Sequence, residues 1–215
     1  MKILNLYAGI GGNRKLWLDG HEITAIEIDP KIAKIYQDFF PKDQVIVADA
    51  HQYLLEHFKE FDFIWSSPPC PTHSRTNTFL HAQGNIRYPD VSLWQEIVFL
   101  QKWFKGKWVV ENVISYYPPL WSPTLLDRHY FWGNFLIRDF KVERNFNICN
   151  ARASTRRPSK DDLSELEKYH GFELDKKLKN RRLLLRNCVY PPLGLHIFNC
   201  AFGRLQQGEL LKVGK

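Results

Sequence analysis

The sequence predicts an α/β fold, with a mostly parallel sheet and helices on both faces. Three observations carry this reading. Over the first 115 residues, short apolar or β-branched runs alternate with stretches of helical periodicity. Glycines follow the first of those runs, and acidic residues end the next two. A fourth run, Phe61-Asp62-Phe63-Ile64-Trp65, opens into a proline-bracketed cysteine loop, Pro68-Pro69-Cys70-Pro71.

Taken in order, residues 2–7 are a short apolar strand. Gly9, Gly11 and Gly12 then allow a tight turn and close backbone approach to a ligand, and a helix is expected over 13–18. Residues 22–28 are a β-branched strand. Pro30 opens a helix through Phe39, at the first-turn position that suits proline. Residues 44–48 are a strand ending at Asp49, and 51–58 a helix. Residues 61–67 are the strand that enters the cysteine loop. A helix over 91–104 and a strand over 107–113 follow, then a strand or hairpin arm over 128–137. Residues 138–160 carry charge without periodicity. A helix is expected over 161–170, with an aspartate near its start, and Pro191-Pro192 start another over 191–203.

A chain of 215 residues holds one domain with a real core, or one domain and a small appendage. At 44% hydrophobic and 14% aromatic it is not a disordered composition. No apolar run approaches the ~20 residues of a membrane span, and the N-terminus lacks a signal-peptide layout. A soluble, cytoplasmic protein without membrane contact is expected. Cys70, Cys149, Cys188 and Cys200 form no C-x-x-C pair, so neither a zinc site nor a disulfide framework is expected. Cys188 and Cys200 read as core cysteines.

The net charge of +7 is lopsided. Residues 1–140 hold 14 Lys and Arg against 15 Asp and Glu, and residues 141–215 hold 16 against 8. The basic excess includes Arg152, Arg156, Arg157, Lys176, Lys177, Lys179, Arg181, Arg182 and Arg186. It suits a polyanionic partner, or is simply a solvated basic face.

Glu27 and Asp29 end the second strand and Asp49 the third. A carboxylate at the end of strand two suits a ribose diol, and Asp49 could accept from an adenine amino group. Each is also a plain helix cap. Together, at successive strand ends, they suggest an adenosine-containing cofactor. Cys70, stiffened by its prolines at the carboxyl end of a strand, is a candidate nucleophile. The same residues also read as a solvent loop with a bystander cysteine. His73, His81 and His129 are possible accessories, and Arg75 a possible phosphate ligand.

With Pro68-Pro69-Cys70 and Glu111-Asn112-Val113 in place, the chain resembles the cytosine-C5 methyltransferases. Their first motif resembles Leu6-Tyr7-Ala8-Gly9-Ile10-Gly11-Gly12, with tyrosine where phenylalanine is usual. The serine downstream of their Pro-Cys motif matches Ser74, and their Asn-x-Val-x-Pro segment matches Asn187-Cys188-Val189-Tyr190-Pro191. Their penultimate motif resembles the stretch from Leu163 to Asp175, notably Gly171-Phe172. The resemblance implies a Rossmann-like fold that uses S-adenosylmethionine, without a metal. It implies a cofactor site at Tyr7, Ala8, Gly9, Ile10, Gly11, Gly12, Glu27, Ile28, Asp49, Ala50, Pro68, Asn187 and Val189. Cys70 would add to C6 of cytosine, Glu111 would hold a proton at N3, Asn112 would orient the loop, and Arg128 would fix the base or hold Glu111. DNA would be the substrate, duplex or single-stranded, met by Ser74, Arg75, Arg156, Arg157, Arg181 and Arg182.

The chain departs from the family in three places. Pro71 stands where glutamine is usual. Only one arginine, Arg128, stands for a motif that carries two. About twenty residues, 139–160, remain where the family has its target recognition domain. The expected organisation is a catalytic domain over 1–138, a recognition remnant over 139–160, and a segment over 161–215 that completes the catalytic domain. A second protein chain could supply target recognition. RNA as substrate, a non-catalytic nucleic-acid-binding homologue, and a modified cofactor that adds a group other than methyl are the competing readings.

Overall fold

The structure is a computed structural model, and it describes residues 1–142 and 160–204. Seven strands are described: β1 (Lys2–Leu6), β2 (Glu22–Glu27), β3 (Gln44–Val47), β4 (Phe63–Ser66), β5 (Lys107–Val113), β6 (Thr124–Leu126) and β7 (His129–Gly133). They form one sheet in the order β3-β2-β1-β4-β5-β7-β6. The first five are parallel. β7 runs antiparallel to both β5 and β6.

Seven α-helices are described: α1 (Pro30–Phe39), α2 (Ala50–His57), α3 (Asn77–Ala82), α4 (Ser92–Trp103), α5 (Lys160–His170), α6 (Arg181–Asn187) and α7 (Pro191–Phe202). They cover both faces because the central strands are apolar on both. In β1, Ile3 faces a layer with Leu193, Ile197 and Phe198 of α7. Leu4 and Leu6 face the opposite layer, with Leu54 of α2 and Ile97 and Leu100 of α4. This two-sided burial is the pattern of a parallel sheet between helices.

One expected element is absent. Residues 13–16 are turns and 17–18 irregular, not a helix. Their side chains are engaged by three separate partners. Asn13 Nδ2 donates to Asn5 Oδ1 at 2.8 Å. Arg14 pairs with the buried Asp43 at 3.0 Å. Trp17 enters the core and stacks on Phe198 at 4.9 Å. The layer position is filled instead by α7, whose Gly194 lies so close that an added Cβ would sit 2.5 Å from Asn13 O.

The strand expected over 128–137 is shorter, ending at Gly133. Asn134 then turns its side chain back to Gly106 O and Trp108 N, which ends the ladder. β6, α3 and α6 were not expected. α6 reads as a run of charge in the sequence, yet Leu185 is fully buried against Ile10, Phe172 and Cys188.

Candidate active site

The carboxyl ends of β1, β2, β3, β4 and β5 point to one edge of the sheet, where open α/β sheets bind their ligands. The candidate site residues converge there. Pro68 and Pro69 follow the fully buried β4 and stiffen its exit. Asn112 Nδ2 donates to Pro68 O at 3.0 Å, tying the cysteine loop to β5. Cys70 O accepts from His73 N at 3.0 Å and Ser74 N at 3.1 Å, so the chain reverses at the cysteine. Cys70 itself is partly exposed. Its loop thus has a fixed floor and an accessible side.

Glu111 is buried on β5, and burial raises its pKa to about 7, against the opposing pull of the Ser67 hydroxyl and the Arg128 charge. Ser67 Oγ accepts from Trp65 Nε1 at 2.9 Å, which leaves its proton free to go to the carboxylate. His129 Nε2 lies 3.6 Å from Glu111 Oε1, across the β5–β7 pair. A carboxyl with this pKa exchanges a proton near neutral pH, which a surface glutamate does not.

Arg128 acts on Glu111 through its charge and makes its hydrogen bonds elsewhere. Its Nη2 donates to Arg186 O at 2.8 Å and Cys188 O at 3.2 Å. It fastens the end of α6 and the Asn-x-Val segment to the site, and it acts on Glu111 through charge. Buried Cys188 is a core cysteine, its thiol pushed up to about 12 by desolvation. Cys200 is half-buried.

On the cofactor side the glycine turn has open space above it. Gly9 adopts φ +55°, and an added Cβ there would meet nothing within 4 Å. Gly12 is the reverse: a Cβ would lie 2.6 Å from Val189 O, so its lack of a side chain lets the 187–189 segment close on the turn. Val189 is buried there, whereas Asn187 is exposed. Glu27 Oε2 accepts from Gly9 N at 2.9 Å and Oε1 from Asp29 N at 3.0 Å. An ionised carboxylate has about four lone-pair sites, so Glu27 keeps acceptor capacity for a diol. Asp49 caps α2 through Gln52 N and Asp29 caps α1 through Lys31 N. Ile28 is 66% exposed and Val47 53%, an apolar surface at the strand ends. Ala8, Ile10, Ala50 and Pro68 are buried beneath it. Diol acceptors, an apolar surface and an open turn fit an adenosine-containing cofactor.

Sequence reasoning missed Glu96. It lies on α4, fully buried, and accepts from Tyr7 OH at 2.6 Å, Ser66 Oγ at 2.6 Å and His51 Nδ1 at 3.0 Å. Those donors come from the ends of β1 and β4 and from the start of α2, so one carboxylate joins three loops of the site. The contact with Glu96 raises the His51 pKa. Tyr7 holds φ +54°, a conformation uncommon outside glycine, and its hydroxyl bond to Glu96 helps fix it. An acid among Leu93, Trp94, Ile97 and Leu100 on the apolar side of a helix was the available signal.

His73 is buried with Nδ1 on Tyr117 OH at 2.6 Å, and desolvation lowers its pKa. His81 Nε2 accepts from Arg87 N at 3.1 Å, a structural role. Ser74 bridges to Ser115 beside the site, and Arg75 is exposed. Arg181 is engaged by Glu167 at 3.4 Å, and Arg182 lies beside it on α6. Arg156, Arg157 and Cys149 fall outside the described residues. A cavity of about 670 Å³ near Trp108, Trp121 and Trp132 shares no lining residue with the site. Among the described residues there is no cluster of three or more potential metal ligands, and no helix long and apolar enough to cross a membrane.

Comparison with known proteins places the chain in a family. A family model described as C-5 cytosine-specific DNA methylase matches residues 1–115. The tRNA (cytosine(38)-C(5))-methyltransferase of Spodoptera frugiperda is 33% identical over 85 residues, 37% of this chain and 26% of that protein. The mouse (Mus musculus) enzyme of the same name is 28% identical over 95 residues, 41% of this chain and 22% of that protein. The matched segment thus spans about a quarter of these relatives. The structure of the Entamoeba histolytica methyltransferase EhMeth aligns over 96% of this chain and 99% of its own, with TM-score 0.56 and 12% identity. At that identity the likeness is one of fold.

Proposed function

Because the chain belongs to the family of C-5 cytosine-specific DNA methylases, we propose that it transfers a methyl group from S-adenosylmethionine to C5 of a cytosine in nucleic acid, through a covalent bond from Cys70 to C6. The observation that carries this is the pairing of a tethered, accessible Cys70 with a buried Glu111 whose pKa is about 7.

The cofactor, when bound, supplies a sulfonium-activated methyl group. The protein's residues make C5 nucleophilic. The Cys70 thiolate adds to C6, and the ring electrons move toward C5 as Glu111 gives its proton to N3. C5 then takes the methyl group. Water takes the C5 proton as the C6–sulfur bond breaks and the thiolate leaves, which restores the aromatic ring, and N3 returns its proton to Glu111. Asn112 holds the cysteine loop against β5 through Pro68. Glu27 and Asp49 hold the ribose and adenine. A base in a duplex must leave the stack to reach Cys70, at a cost of a few kcal/mol that single strands avoid. With only about twenty residues over 139–160, unpaired cytosines are the better targets unless a partner chain supplies recognition. The likeness to two tRNA methyltransferases favours RNA, and membership of a DNA methylase family favours DNA.

The test is incubation with methyl-labelled S-adenosylmethionine and, separately, duplex DNA, single-stranded DNA and RNA. Label should enter one polymer as 5-methylcytosine and fall to background in Cys70→Ala. Transfer that survives Cys70→Ala would overturn the covalent mechanism.

A further inference from the structure

The segment from Pro71 to Val91 is held to the site from beneath and shows its large side chains to solvent. Asn77, fully buried, donates to Pro71 O at 2.8 Å. Asp90 N donates to Thr72 Oγ1 at 3.1 Å. Tyr116 OH donates to Arg87 O, and His81 stacks edge-on against Tyr116 at 4.8 Å. A segment tethered at both ends would ordinarily turn its apolar groups inward. Here Phe79 is 71% and Tyr88 80% exposed, with Ile86 and Val91 also out in solvent.

The charge of this stretch is one-sided. No acidic residue occurs between Asp62 and Asp90, whereas Arg75 and Arg87 both do and both are exposed. Neither guanidinium makes an ion pair among the described residues. Exposed aromatic rings interleaved with unpaired arginines, beside the nucleophile loop, make a surface for stacked bases and their phosphates.

We propose that Phe79 and Tyr88 are a stacking platform for the unpaired nucleotides that flank the target cytosine, with Arg75 and Arg87 on the adjoining phosphates. This rests on the proposed nucleic-acid activity. It adds that the protein holds its substrate as a single strand by base stacking, which is tolerant of sequence.

The test is fluorescence anisotropy of the intact protein with labelled single-stranded DNA, single-stranded RNA and duplex DNA, without cofactor. Phe79→Ala and Tyr88→Ala should each weaken single-strand binding by about five- to a hundredfold. Both rings are exposed, so the melting temperature should not move. Tyr88→Phe should retain binding, and Arg75→Gln should lower the salt slope by about 0.7 on a single strand. Wild-type affinity in the double alanine variant would overturn the platform and leave the methyltransferase reading standing. An equal loss on duplex and single strand would also overturn it, as would a dimer of this chain that buries Phe79 and Tyr88. No binding by the parent protein to any of the three polymers would sink the underlying reading too.

Discussion

Around the glycine turn the carboxylates accept from two or three of the protein's own donors, whereas around Cys70 the decisive carboxylate is supplied less well. Glu27 accepts two backbone N–H groups, and Glu96 accepts from Tyr7, Ser66 and His51. Glu111 has the Ser67 hydroxyl, a nearby arginine charge and a histidine at 3.6 Å, and burial outweighs them. The difference teaches how one strand-end crevice holds acids in two states. Acids well supplied with donors tie the surrounding turns together. A buried, undersupplied acid keeps its proton up to near neutral pH, as the proposed role of Glu111 requires.

The contrast breaks most visibly at Glu96. Glu96→Ala takes the acceptor from the buried Ser66 hydroxyl and from the half-buried Tyr7 hydroxyl and His51 imidazole. It should cost about 3–5 kcal/mol in chemical denaturation and should weaken cofactor binding measured by calorimetry. A loss under about 1 kcal/mol would mean that water serves those donors equally well.

Glu111 sharpens the other side. Its folded pKa lies above the unfolded 4.5, so the native state binds the extra proton between about pH 4.5 and 7. Stability contributed by the neutral form is therefore present at low pH and lost as pH rises through that window. The loss amounts to about 3 kcal/mol at ~1.4 kcal/mol per pKa unit. Glu111→Gln should flatten this decline in denaturation curves taken from pH 4.5 to 8, while removing methyl transfer. A variant with the same slope as the parent would place the titration elsewhere.

The smallest effect separates the two strand-end aspartates. Asp29→Ala removes the α1 cap and should cost about 1 kcal/mol, with cofactor affinity unchanged. Asp49→Ala should cost a similar amount and should also weaken the cofactor. Equal cofactor affinity in both variants would reduce Asp49 to a cap.

The sequence by itself determined the parallel core, because strands buried on both faces must be apolar throughout and their helices must carry a stripe. Pro30, Asp29 and Asp49 marked helix starts through chemistry confined to a few residues. The cysteine loop and the Glu-Asn-Val strand end were legible for the same reason: each is a contiguous word. Tertiary structure alone decided the rest. Residues 13–17 were expected as helix, but contacts with Asn5, Asp43 and Phe198, distant in the sequence or on other elements, accompany turns instead. Arg128 reads in the sequence as a base or carboxylate clamp, and its charge does act on Glu111, but its bonds to the carbonyls of Arg186 and Cys188 carry no sequence signature. Glu96 joins loops that lie far apart along the chain, and the proton on Glu111 follows from how much water the fold excludes. Local pattern reports what a segment prefers, whereas burial and distant partners depend on where the whole chain places it.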